Sequence, residues 1–234
     1  MALGIVLKSF ILALSQIGDR RFRRVLMLGI LLTFALLVGT YAGFLWLIQA
    51  LVGEDATLPV LGEVRWLDDL LSIGSFIFMF VLSIFLMIPV ASAITSMFLD
   101  EVAQAVEDRH YPHLPPAPAV PFGEALRDTL SFLGVLIGAN LLAFVLYALF
   151  APAALFIFYG LNGFLLGREY FTLAAMRRIG RQGAKDLRAQ NTGTIWLAGI
   201  LMAVPLSVPI LNLFIPILGA ATYTHLFHLV SDRR

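Results

Sequence analysis

The chain has 234 residues, 60% of them hydrophobic and 13% charged, with a mean hydropathy of +0.91 and a net charge of +1. Soluble globular chains carry about 25% charged residues, so this composition excludes an ordinary soluble domain and predicts an integral membrane protein. With no cysteine in the sequence, disulfides, thiolate catalysis and cysteine-ligated metal or iron–sulfur centres are excluded as well.

The N-terminal segment is apolar, but Lys8 interrupts it and no small-residue cleavage site precedes the arginines that follow. It is predicted to be retained rather than removed as a signal peptide. Leu3, Val6, Leu7, Phe10, Ile11 and Leu14 recur at helical spacing, with Lys8, Ser9, Ser15 and Gln16 off that stripe. The segment is too short to span and predicts an interfacial amphipathic helix on the cytoplasmic side.

Residues 1–24 close on Gly18-Asp19-Arg20-Arg21-Phe22-Arg23-Arg24. Four arginines against a long apolar run place this end in the cytoplasm. They have two compatible uses. Juxtamembrane arginines meet anionic lipid headgroups, and a glycine before a helix start, followed by adjacent guanidiniums, makes a site for an oxyanion.

Residues 25–52 are uncharged and longer than the ~20 needed to cross a bilayer, which predicts the first span, with Gly29, Gly39 and Gly43 as packing faces and Tyr41 and Trp46 in its outer half. Residues 53–69 carry Glu54, Asp55, Glu63, Asp68 and Asp69 against Arg65 alone, as an external loop would. Residues 70–98 form the second span, kinked at Pro89, and its inner half holds Ser92, Thr95 and Ser96, suited to packing or to a polar pore lining. Residues 99–128 make a cytoplasmic helix extension, the Pro-rich connector HYPHLPPAPAVP, and a short surface helix over 122–128. His110 and His113 fall among prolines that forbid the helical pairing a metal would need, so no metal site is predicted.

Residues 129–167 are apolar with a break at Ala151-Pro152 and charged residues beyond both ends, the pattern of a helical hairpin entering from the cytoplasm. Gly134 and Gly138 offer a small packing face, and Asn140 reads as an interhelical hydrogen bond or a ligand. Residues 168–193 read as a basic cytoplasmic helix and loop, with Glu169 and Arg168 as a surface ion pair. Residues 194–230, broken by Pro205, Pro209 and Pro216 and carrying Asn212, predict a second hairpin, with His225 and His228 at the interface. Of sixteen Lys/Arg, only Arg65 falls on the proposed outside. Both termini are therefore predicted to be cytoplasmic.

The predicted fold is all-α: an interfacial N-terminal helix, two long transmembrane helices and two cytoplasm-facing hairpins that can be partly penetrating, in a single membrane domain. No acid pair, serine–histidine set or metal cluster lies in the apolar blocks, so an enzyme is not expected and no cofactor is implied. A channel or permease for an inorganic anion and a non-transporting scaffold that binds lipid or partners both fit this composition. Nucleic acid is not an expected partner.

Three stretches carry a resemblance: Gly18-Asp19-Arg20-Arg21-Phe22, the helix from Phe98 to Glu107 (FLDEVAQAVE), and the run from Asn162-Gly163 to Gly167-Arg168-Glu169-Tyr170-Phe171. Together they resemble the CysZ sulfate permeases and the wider etoposide-induced-protein-like membrane family. The resemblance implies sulfate uptake into the cytoplasm for cysteine synthesis without ATP hydrolysis, by a homo-oligomer in the bacterial inner membrane. It also implies an oxyanion site at Gly18, Arg20 and Arg21, with backbone N–H groups from Asp19 onward. Ile17 stands where the family has proline and Asp19 where it has an apolar residue. A carboxylate at 19 is expected to pair with Arg20 or Arg23 and weaken anion binding.

Overall fold

A computed structural model describes residues 2–52, 57–58, 62–63, 99–118, 122–212 and 214–232. The predicted second span over 70–98, including Ser92, Thr95 and Ser96, lies outside the described residues. By contact the chain divides into two compact units, one of residues 1–26 and 99–234, the other of residues 27–98.

The described residues are almost entirely helical. Helix α1 spans Ala2–Ser15 and α2 spans Arg20–Val52. Between them the chain turns through hydrogen bonds from Gln16 N to Ala13 O and from Asp19 N to Gln16 O. In the second unit α2 continues to Val52, and two two-residue strands, β1 (Thr57–Leu58) and β2 (Gly62–Glu63), pair antiparallel.

In the first unit, helix α3 covers residues 99–110. It reaches His110, one residue further than the connector reading allowed, because the first proline is Pro112 and a proline restrains only the residue before it. Helix α4 runs unbroken over Phe122–Leu149. The separate surface helix expected over 122–128 is therefore its first two turns, since the sequence has no proline between Pro121 and Pro152 to end it. Within α4, Leu130–Leu149 is long and apolar enough to cross a membrane, and none of it is buried in the chain. Pro152 sits in a 3-10 turn, Ala151–Ala153, which leads into α5 (Ala154–Gln190).

Helix α5 absorbs the predicted basic helix and loop. Its one departure from helical geometry is Gly180, at φ 67° and ψ 176°. That conformation is essentially restricted to glycine. In a straight helix Thr172 and Arg188 would lie about 24 Å apart. Here Arg188 Nη1 donates to Thr172 Oγ1 at 2.6 Å, so the chain folds back at Gly180.

Helix α6 (Thr192–Ala203), a 3-10 turn (Val204–Ser207), α7 (Pro209–Asn212) and α8 (Ile215–Ser231) complete the chain. The most extensive helix pairing is α5 with α6, and α8 packs on α1 and α5. Helices α5 and α6 approach backbone to backbone: a Cβ at Gly163 would lie 2.6 Å from Ile200 N, and one at Gly167 would lie 2.8 Å from Ile195 O. Gly219 lies equally close under the Tyr170 ring. Gly39, Gly43, Gly134 and Gly138, marked by the sequence as packing faces, have nothing within 4 Å of a Cβ. Among the described residues, the glycines that pack between helices are those of the α5–α6 crossing and Gly219.

Helix α1 buries Ile5, Val6, Ser9 and Ala13, and Gln16 is buried just beyond it. Ser9 and Gln16 thus face the protein and not water. Ser9 Oγ donates to Ile5 O, and Gln16 Nε2 donates to the Ala105 carbonyl at 3.0 Å, which ties the end of α1 to α3.

Candidate functional site

The N-terminus of α2 is built by the turn that precedes it. Asp19 caps the helix, its Oδ1 accepting from Arg21 N at 2.8 Å, as acidic N-caps do where backbone N–H groups lack helical partners. The Asp19 carboxylate also accepts from Gln16 Nε2 at 3.3 Å, and its Oδ2 lies 3.9 Å from Arg109 Nη1. Its partners are thus Arg21 N, Gln16 and Arg109, not the Arg20 or Arg23 side chains that the sequence suggested. Arg21 donates through Nη1 to Asp108, which raises the Arg21 pKa and lowers that of Asp108 through their shared hydrogen bond. Arg20, Arg23 and Arg24 are exposed and have no side-chain partner among the described residues.

A second polar centre lies behind this turn, around Glu107 on α3, whose side chain is only 2% exposed. Arg178 on α5 grips it with two bonds, Nε to Oε1 at 2.9 Å and Nη2 to Oε2 at 2.7 Å. Arg177 Nη1 adds a third at 3.2 Å, and His228 Nε2 on α8 a fourth at 3.0 Å. Burial alone would raise the Glu107 pKa. The His228 and Arg178 hydrogen bonds and the two guanidinium charges outweigh it and hold the carboxyl at about 2. One carboxylate therefore joins three helices.

The surroundings extend this network. Arg177 also reaches Asp100 at 3.1 Å and Gln104 at 3.0 Å, and Arg178 Nη1 donates to the Pro115 carbonyl at 2.6 Å, clasping the Pro-rich connector to α5. The Tyr111 ring lies tilted against that of His228, with centroids 4.2 Å apart, and its hydroxyl meets His225 Nδ1 at 3.1 Å. His225 and His228 are buried, which corrects their interfacial reading. Glu107 lies 121 positions from His228, so no local spacing announces the pair. Its sequence signal was its place at the end of the FLDEVAQAVE helix, where local spacing gives it no partner.

The two centres border one cavity of about 480 Å³, lined by Arg21, Asp100, Glu101, Gln104, Ala117, Pro118 and Arg177. Two guanidiniums and two carboxylates make its lining charged but mixed. Of the other residues singled out by sequence, Gly18 has open space around it, and Asn140 donates to Leu136 O within its own helix and not between helices. Asn212 ends α7, half-buried. Among the described residues no group of three metal-ligating side chains converges.

The described residues are thus almost entirely helical, with an unburied apolar helix and an arginine-rich corner beside a charged cavity. Residues 9–216 match the family described as Sulfate transporter CysZ/Etoposide-induced protein 2.4, and the chain belongs to that family. No curated protein and no solved structure matches it.

Proposed function

We propose that this chain is a sulfate permease of the bacterial cytoplasmic membrane, importing sulfate for cysteine synthesis without ATP hydrolysis. The family match over residues 9–216 carries this reading. The oxyanion is first met at Gly18, Asp19, Arg20 and Arg21, where Arg20, without a side-chain partner among the described residues, stands at the start of a 33-residue helix. Helix termini and guanidiniums are common selectivity elements for anions. The cavity between Arg21 and Arg177 supports a route inward from that corner, and Ser92, Thr95, Ser96, Asn140 and Asn212 supply polar positions for the path or for helix packing.

In this reading α2 and residues 70–98 are the two spans, α4 is the first arm of a hairpin that enters from the cytoplasmic side, and both termini are cytoplasmic. Helix α6 is about 18 Å long, against a hydrocarbon core of about 30 Å, which supports a partly penetrating second hairpin. The open Gly134 and Gly138 face supports contact with another copy in a homo-oligomer. Radiolabelled sulfate uptake into liposomes containing the purified chain tests the function. Uptake above empty liposomes, absent in the double variant Arg20→Ala with Arg21→Ala, is the expected result. A folded, inserted protein that moves no sulfate would leave a non-transporting lipid- or partner-binding scaffold as the better reading.

A further inference from the structure

Helix α1 carries apolar side chains on two opposite faces. One face, Ile5 and Val6 with Ser9, Ala13 and the following Gln16, is buried against the protein. Its opposite stripe, Leu3, Leu7, Ile11 and Leu14, is 53%, 46%, 65% and 50% exposed. These four recur at i, i+4, i+8 and i+11, a single helical face. Since α1 is already fixed by its contacts with α8 and by the Gln16 bond to Ala105, this face is not a core surface awaiting a rearrangement within the chain.

A few residues on, Arg23 and Arg24 are exposed in the first turns of α2 and have no acidic partner among the described residues. This sets them apart from Arg21, which is neutralised by Asp108, and from Arg177 and Arg178, which are bound to Glu107. An apolar helical stripe followed at once by uncompensated guanidiniums has the charge and polarity of a surface made for an anionic lipid leaflet.

We propose that the α1–α2 corner is an anionic-phospholipid docking surface: Leu3, Leu7, Ile11 and Leu14 enter the acyl boundary while Arg23 and Arg24 bind lipid phosphates. This rests on the membrane reading above but not on sulfate as cargo. It assigns Arg23 and Arg24 a ligand separate from the oxyanion proposed for Arg20 and Arg21.

The absence of native cysteine allows a single fluorophore to be attached at Ile11→Cys, or at Leu141→Cys on the unburied face of α4. The labelled full chain is reconstituted into phosphatidylcholine vesicles in which acyl-chain bromine quencher is carried either by phosphatidylglycerol or, at the same fraction, by phosphatidylcholine. The Ile11 label should be quenched more strongly by the phosphatidylglycerol quencher. Arg23→Gln with Arg24→Gln should reduce that preference, by up to about fivefold per arginine, given ~1 kcal/mol per basic residue at an anionic surface. Raising the salt should reduce it in the same direction.

Equal quenching by both lipids overturns the headgroup assignment. Quenching at Leu141 but not at Ile11 overturns the docking surface and leaves the membrane reading standing, as would happen if a second copy of the chain covered α1. Quenching at neither position overturns both. Sulfate uptake is read separately on the same vesicles, so loss of lipid preference and loss of transport are distinguished.

Discussion

Gly163 and Gly199 meet where α5 and α6 cross, so closely that a Cβ on Gly199 would lie 1.8 Å from the Gly163 carbonyl oxygen. That atom is backbone, and neither helix can yield without moving as a whole. Gly199→Ala is expected to destabilise the protein by on the order of 1–3 kcal/mol, the usual cost of overpacking. Gly138→Ala, with open space around its Cβ, should stay within about 0.5 kcal/mol. Thermal unfolding in detergent, followed by size-exclusion fluorescence, compares the two, and equal midpoints would refute the crossing.

Glu107 neutralises two guanidiniums that have little water around them. Glu107→Ala leaves the largely buried Arg178 with no carboxylate and Arg177 with only the exposed Asp100, and should cost about 3–5 kcal/mol. Removal of the exposed partner Asp108 should cost far less, because its bond to Arg21 is open to solvent. The readout is the unfolding midpoint of each variant at low and high salt, with only the Asp108 effect sensitive to salt.

Acid should loosen the same junction. The Glu107 carboxyl is held at about 2 in the folded chain against an ordinary value of 4.5, so between those values the unfolded chain binds more protons. The stability this provides is complete above about pH 4.5 and is lost as the pH falls toward 2. His110, which burial pushes below its ordinary 6.5, adds a loss in the same direction on the acid side of that value. Wild type should lose more thermal stability between about pH 5 and about pH 3 than Glu107→Gln does. Parallel curves for the two proteins would remove Glu107 as the cause.

The carboxylate of Asp19 occupies the N-terminus of α2 where an oxyanion is proposed to bind. Asp19→Asn keeps a helix cap and removes the competing charge. Sulfate affinity measured by calorimetry should then tighten about fivefold, the size of one charge interaction of ~1 kcal/mol in water. Unchanged or weaker affinity would show that Asp19 orders the site and does not compete with its ligand.

Gly180 reverses the chain inside α5. Gly180→Ala should cost about 1–3 kcal/mol, because a side chain is strained at φ 67°. It should also separate Arg188 from Thr172. Spin labels on Thr172→Cys and Arg188→Cys in the otherwise unchanged, cysteine-free chain should lie closer than the about 24 Å of a straight helix and move apart in the Gly180→Ala background.

Much of this protein is fixed by residue order. An apolar run such as Leu130–Leu149 has no alternative in lipid to a helix that closes its own hydrogen bonds, and Pro152 must interrupt it. The arginines at 20–24 stand out in composition alone, and the motif residues Gly163 and Gly167 were visible before their role was. Tertiary structure decided what those residues do. Which glycines pack depends on which helix arrives opposite: Gly199 lies 36 positions from Gly163, while the equally regular Gly134 and Gly138 meet nothing. Ser9 and Gln16 turn inward because α8 and the Ala105 carbonyl lie on that side, and the leucines of α1 are left outside. Local spacing gives Glu107 a place on a helix and no partner. Only when α5 and α8 bring Arg177, Arg178 and His228 around it does burial turn that carboxylate into the junction of three helices, because a charge leaves water only where opposite charges and donors surround it.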